Sequence, residues 1–186
     1  MIIGCQPVDD GIKFLDLAPS QQVAVQDFSQ LSFNDSQGAV KKVTELLDRQ
    51  FLVLVITRGF KHSICLYCSS QTSKWARRHG ELTSRDASLV VVFPTLDRGD
   101  DIQLPMLEQK ILGGDVPNDT VPYPILLDLD LHSVDQLGLR AELAKPATYI
   151  IDRRGQVRYA YVGRTIADRP SVDAILEQLD RLGSTK

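Results

Sequence analysis

Residues 51 to 57, FLVLVIT, contain no polar side chain before the closing threonine and are rich in β-branched residues. A strand with one wet face would alternate apolar and polar positions. A continuous apolar run must instead be covered on both faces. This requirement narrows the fold more than any other feature, because the chain has to supply cover above and below a central strand. A second run of the same kind, Ala87 to Phe93, is closed by Pro94, and a short third strand reads at Ile125 to Leu127. Helical segments lie between them. The segment after residue 68 ends in Arg77, Arg78, His79 and Gly80, basic residues followed by glycine, which is a helix stop signal. Another helix is expected from about Gln103 to Leu112 before Gly113 and Gly114, and one helical turn at Val134 to Leu137. Ala147 to Ile151 and Gln156 to Val162 read as a hairpin through the turn Asp152-Arg153-Arg154-Gly155. Val172, Ile175, Leu176, Leu179 and Leu182 then repeat at helical spacing between Pro170 and Gly183. Strands alternating with helices predict an α/β domain, a central sheet flanked by helices.

The opening is harder to read. QVAVQDF, residues 22 to 28, alternates as a strand does, and Gly38 to Arg49 carries Val40, Val43, Leu46 and Leu47 on one helical face, with Asp35 or Ser36 as cap. The 186 residues suit one domain spanning 1–186, with 1–36 as its divergent N-terminal extension. A net charge of −3 gives no basic footprint, so no nucleic-acid partner is expected. The longest strictly apolar run, Phe51 to Ile56, falls far short of the roughly 20 residues of a bilayer span. The start, MIIGCQPVDDG, has no basic residue before its short apolar patch, so no secretory signal is read and a cytoplasmic location is expected. Three cysteines are an odd number, and in a reducing compartment a close pair is catalytic or metal-binding more often than structural.

That close pair is CLYC, Cys65 and Cys68, placed where the buried strand run ends and a helix begins. Helix N-terminal N–H groups stabilise a thiolate, and Arg58, Lys61 and His62 are nearby sources of positive potential. The expected result is a lowered Cys65 pKa, with Cys68 one turn further in and close enough for a short-loop disulfide. Other readings stay open. A structural zinc site would need four ligands, for which His62, Cys65, Cys68 and Cys5 are the candidates, without a second CxxC or an HxxxH. The two cysteines are also candidates for inert, buried thiols, or for a site that only binds a partner. Cys5 reads by default as an inert thiol, with a resolving cysteine as the alternative. Neither a Ser/His/Asp arrangement nor GxGxxG supports hydrolase or dinucleotide chemistry. Asp128, Asp130 and Asp135 lack the glycine and glutamate of an EF-hand and read as turn residues and caps. His79 reads as serving a helix end and His132 as lying in a polar turn. No cofactor and no metal are expected.

Four stretches carry a resemblance: LVLVITRGFKHSICLYC, YPILLDLDLHSVDQLGL, KPATYIIDRRGQVRYAYVG and DRPSVDAILEQLDRL. Together they resemble the thioredoxin superfamily and, more narrowly, its alkyl hydroperoxide reductase/thiol-specific antioxidant (peroxiredoxin-like) family, over residues 50 to 183. The resemblance implies a thioredoxin-like (peroxiredoxin-like) three-layer fold with a central mixed sheet. It also implies a cis Lys145–Pro146 bond, with Pro146 facing the two cysteines. The sequence departs from the peroxiredoxin motif PxxxTxxC. Counting back from Cys68 puts Cys65 at its Thr and Lys61 at its Pro, whereas counting back from Cys65 gives His62 and Arg58. The family's peroxide-binding arginine would fall near Pro146, where this sequence has none, with Arg58 or Arg164 as substitutes. The leading expectation is therefore a thiol–disulfide oxidoreductase in which Cys65 attacks a protein disulfide and Cys68 resolves, supported by Pro146, Arg58, Lys61 and His62. The alternatives are a thiol peroxidase in which Cys68 meets a hydroperoxide and Cys65 resolves, and a non-catalytic binding module. Either enzyme needs a thiol reductant whose identity the sequence leaves open, as it does the oligomeric state.

Overall fold

Every position of the run at Phe51–Ile56 is buried, and its side chains divide by parity between two cores. Phe51, Val53 and Val55 pack with Trp75, Ile175 and Leu179 on one side, while Leu52, Leu54 and Ile56 pack with Phe28, Leu31 and Leu139 on the other. Six buried apolar side chains contribute on the order of 10 kcal/mol, which fixes this strand inside the sheet. The computed structural model describes residues 10–61, 63–96, 104–112 and 120–184.

In chain order the elements are β1 (Ser32–Asn34), β2 (Val40–Lys42), a 3-10 turn (Val43–Leu46), β3 (Phe51–Ile56), β4 (Phe60–Lys61) and β5 (Ser63–Ile64). There follow α1 (Leu66–Arg77), α2 (His79–Thr83), β6 (Ala87–Thr95), α3 (Leu104–Leu112), β7 (Ile125–Leu129) and α4 (His132–Gln136). The chain closes with β8 (Ala147–Asp152), β9 (Val157–Val162) and α5 (Val172–Gly183). The main sheet is mixed, in the order β2-β1-β7-β6-β3-β8-β9. β3 runs parallel to β6 and antiparallel to β8, with Val53 opposite both Leu89 and Ile150. Apolar residues of α1, α3 and α5 cover one face. The other face is covered by Val134 of α4, Val43 of the 3-10 turn and the segment around Phe28 and Leu31. This is the three-layer, thioredoxin-like α/β arrangement.

Three local expectations fail for physical reasons. Residues 38–49 form no α-helix. The Asp35 carboxylate accepts the N–H groups of Gln37 and Ala39, both at 2.9 Å, and folds the chain back so that Val40–Lys42 pairs with Ser32–Asn34. A helix of about 12 residues is marginal by itself, and the turn gives the backbone better partners. Pro94 does not close its strand, because β3 ends opposite Val92 and nothing on that side asks Pro94 for an N–H.

QVAVQDF, lastly, forms no strand beyond a single bridge from Asp27 to Gln156. Residues 15–28 instead run along the open edge of β9. Gln21 N–H donates to the Ala160 carbonyl at 2.8 Å, Val157 N–H to Gln26 and Phe28 N–H to Gly155 at the same distance, and Tyr159 donates its hydroxyl to the Ala18 carbonyl at 2.9 Å. A bare sheet edge recruits other strands, and this strap blocks it. Its first contact is with the segment before α5: Leu15 N–H donates to the Arg169 carbonyl and Ser171 N–H to the Leu15 carbonyl, both at 2.8 Å.

Among the described residues no helix is long and apolar enough to cross a membrane.

Candidate active site

β3 delivers the chain to the site through a clamped turn. Thr57 donates both its N–H and its hydroxyl to the Val92 carbonyl, and Gly59 N–H donates to the Thr57 hydroxyl. Gly59 has φ +84°, and a Cβ there would lie 2.2 Å from the Pro94 carbonyl oxygen, so only glycine lets the turn lie this close to β6. The short β4–β5 hairpin follows, with Phe60 packed near Phe93, and the chain then enters α1.

Cys65 is the N-cap of α1 in extended conformation (φ −62°, ψ 128°), and its carbonyl accepts the Ser69 N–H. Its side chain is partly exposed, whereas Cys68, one turn on, is fully buried; both are free thiols. The Cys65 pKa falls to about 5, first because the Cys68 thiol hydrogen-bonds its sulfur. Partial burial opposes this, while the N–H groups of Cys68 and Tyr67 and the charge of Arg169 add to it. Burial pushes Cys68 the other way, well above its ordinary value, and donating to Cys65 holds its proton further; Arg169 offsets part of this. The pair thus divides its work by environment: a thiolate at the surface and a protonated thiol beneath it.

The cation that reaches these sulfurs is one the sequence reading did not select. Arg169 is 1% exposed. Its Nη2 donates to Cys68 Sγ at 3.2 Å, Nη1 to Gln71 Oε1 at 2.8 Å and Nε to the Ile166 carbonyl at 2.9 Å. The loop carrying it is tight. Asp168 accepts the Tyr161 hydroxyl at 2.7 Å and the Arg164 N–H at 2.8 Å, and a Cβ on Gly163 would lie 2.1 Å from the Asp168 carbonyl oxygen. Arg169 lies 101 positions from Cys68 along the chain, so spacing gave no sign of it. The one available clue was its place in DRPS, immediately before the helix-opening proline.

The other expected residues are placed as follows. Arg58 pairs with Glu142 at 2.7 Å. It lines a cleft of about 230 Å³ together with Lys145, Pro146, Gly163, Arg164 and Ile166, and neither cysteine lines that cleft. The Lys145–Pro146 bond is trans, since no cis peptide occurs among the described residues. The cis expectation is corrected accordingly. Pro146 immediately precedes β8, and its carbonyl accepts the Gly163 N–H at 2.8 Å, one step beyond the Ala147–Val162 pair, a pairing the trans chain makes. Lys61 lies on β4, while His62 and Cys5 fall outside the described residues. Among the described residues no three His, Cys, Asp or Glu side chains gather as metal ligands. Asp128 serves as a cap, accepting the N–H groups of Ser133 and Val134 at 2.8 and 2.9 Å.

A thioredoxin-like sheet with a cysteine pair at the start of α1 defines the class, a thiol-based oxidoreductase. The AhpC/TSA family profile matches residues 21–160, and the chain belongs to that family. Solved structures agree on the fold. Peroxidoxin BcpB from Mycobacterium tuberculosis is 17% identical with a TM-score of 0.61, over 91% of this chain and 99% of that one. Mycobacterium tuberculosis AhpC is 18% identical with a TM-score of 0.64, over 90% and 96%. A cysteine-to-serine mutant of peroxiredoxin 6 from Arenicola marina is 16% identical with a TM-score of 0.69, over 89% and 76%. Comparison with curated proteins found no match.

Proposed function

We propose that the chain is a thiol–disulfide oxidoreductase in which Cys65 attacks and Cys68 resolves. One observation carries this reading: the partly exposed Cys65 sulfur is ionised near neutral pH while the buried Cys68 holds its proton directly against it. Cys65 thiolate attacks a substrate disulfide, forming a mixed disulfide and releasing one substrate thiolate, which takes a proton from water. Cys68 then loses its proton and attacks the Cys65 sulfur. The Cys65–Cys68 disulfide forms, the second substrate thiol leaves, and two electrons have passed to the substrate. A thiol reductant returns the pair to the dithiol.

Family membership favours a second reading with the same order of attack. A hydroperoxide replaces the disulfide, Cys65 is oxidised to sulfenic acid as the O–O bond breaks, and Cys68 condenses with it to release water. Full burial and a retained proton count against Cys68 as the first sulfur to meet peroxide. The test uses Cys65→Ser and Cys68→Ser in paired disulfide-reductase and peroxidase assays, with mass spectrometry of trapped adducts. Cys68→Ser should accumulate a mixed disulfide on Cys65 or a dimedone-trapped sulfenic acid there. Adduct formation on Cys68 in the Cys65→Ser protein would overturn the assignment. Loss of reductase with retained peroxidase would select the second reading.

A further inference from the structure

Arg169 brings a permanent positive charge into the interior, and arginine does not shed its proton inside proteins. Its three contacts are all neutral: the Gln71 amide oxygen, the Ile166 carbonyl and the protonated Cys68 Sγ. Among the described residues no carboxylate forms an ion pair with it. Asp168, its neighbour in sequence, is engaged with the Tyr161 hydroxyl and the Arg164 N–H. A buried cation is tolerable only when charge or strong dipoles answer it. The charge that answers this one is the Cys65 thiolate, reached through the Cys68 sulfur that lies between the guanidinium and it.

That charge depends on redox state. Reduced at neutral pH, the pair carries one negative charge on Cys65. Oxidised, the two sulfurs share a covalent bond and carry none. Oxidation therefore removes the only anionic counterpart that the described site offers Arg169, and it replaces the Cys68 thiol with a weakly accepting disulfide sulfur. We propose that Arg169 is the redox-tuning residue of the pair, favouring the dithiol over the disulfide so that the oxidised pair draws electrons from its thiol reductant more strongly than it would without this cation. The inference rests on the dithiol reading of Cys65 and Cys68 given above. At equilibrium with a given thiol pool, Arg169 therefore makes the dithiol a milder reductant of disulfide substrates than it would be without this cation.

The measurement is the equilibrium constant with glutathione at pH 7. In the balanced exchange, protein dithiol plus glutathione disulfide gives protein disulfide plus two glutathione thiols. Samples held at graded glutathione ratios are acid-quenched, alkylated and weighed by mass spectrometry. Arg169→Met should shift the equilibrium at least tenfold toward the protein disulfide, equivalent to about 30 mV lower in reduction potential. Arg169→Lys, which keeps the charge, should shift it less. Gln71→Glu guards against a variant that does not fold, because it is nearly isosteric and gives Arg169 a carboxylate partner in both redox states. It should shift the equilibrium the same way as Arg169→Met. An unchanged or higher potential in whichever of Arg169→Met and Gln71→Glu folds overturns the proposal. If the wild-type protein forms no Cys65–Cys68 disulfide at any ratio, the dithiol reading itself fails and the proposal fails with it.

Discussion

Replacing Cys68 by alanine removes the largest single support for the Cys65 thiolate, the hydrogen bond from the neighbouring thiol. A hydrogen bond to a charged group contributes about 1.5–3 kcal/mol. At about 1.4 kcal/mol per pH unit, Cys68→Ala should raise the Cys65 midpoint by roughly 1–2 units. The remaining supports, the first-turn N–H groups and Arg169, keep it below the free-cysteine value of about 8.5. The assay is the initial rate of reaction with a pyridyl disulfide from pH 4 to 9. Absolute rate at pH 7 is a poor discriminator. A thiolate with a pKa near 5 is intrinsically less nucleophilic, roughly 30-fold for this drop, and its ~30-fold higher ionisation at pH 7 about cancels that. At pH 5 the balance changes. Half of Cys65 is ionised there against about 0.03% of a free thiol, so after the nucleophilicity loss the protein should still react some tens-fold faster. Cys68→Ser keeps an O–H donor and should hold the midpoint lower than alanine does. A wild-type midpoint above 8, or an alanine variant with the wild-type midpoint, would refute the argument that Cys68 tunes Cys65.

Stability should follow the same charge. The folded pKa of Cys65 lies below its unfolded value, so its contribution is complete above about pH 8.5 and lost as pH falls through about 5. In urea denaturation of reduced protein, wild type should therefore gain on Cys65→Ala between pH 5 and 8, and a flat difference would contradict the shift. Cys68, with its pKa raised, works in the opposite sense and should erode stability as pH rises beyond about 8.5. Gly59→Ala places a Cβ against the Pro94 carbonyl at positive φ and should cost at least ~1 kcal/mol in the same assay; a neutral result would mean the turn is not clamped. Asp128→Ala strips two N–H groups at the start of α4 and should cost about 0.5–2 kcal/mol without moving the Cys65 midpoint. A shifted midpoint would show that this end of the sheet is coupled to the cysteines.

The central strands and the helix after CLYC were readable because hydrophobic period and stop signals are local. FLVLVI is buried at all six positions, and the closing helix spans Val172–Gly183 as its leucine spacing implies. Residues 10–49 were not readable, since their conformation is set by partners far along the chain. QVAVQDF alternates like a strand, yet it forms a strap whose hydrogen bonds go to β9 about 130 positions later. The two sulfurs were legible for the same local reason, as a pair at a strand-to-helix turn. Arg169 was not, because nothing in DRPS marks a charge as inward-facing. Arg58 and Arg164 were the candidate substitutes for the family's arginine. In the fold Arg58 is engaged with Glu142, while Arg164 meets Asp168 through its backbone.

The strap also ties the sheet edge to the cysteine site. Asp10 is tied to Lys74 of α1 at 3.1 Å, and at Leu15 two hydrogen bonds grip the backbone at Arg169 and Ser171, on either side of Pro170. That grip lies directly behind the guanidinium that touches Cys68. One segment thus closes the edge of β9 and holds the backbone of the loop that carries the guanidinium, so the sheet edge and the cysteine site share a single fastening.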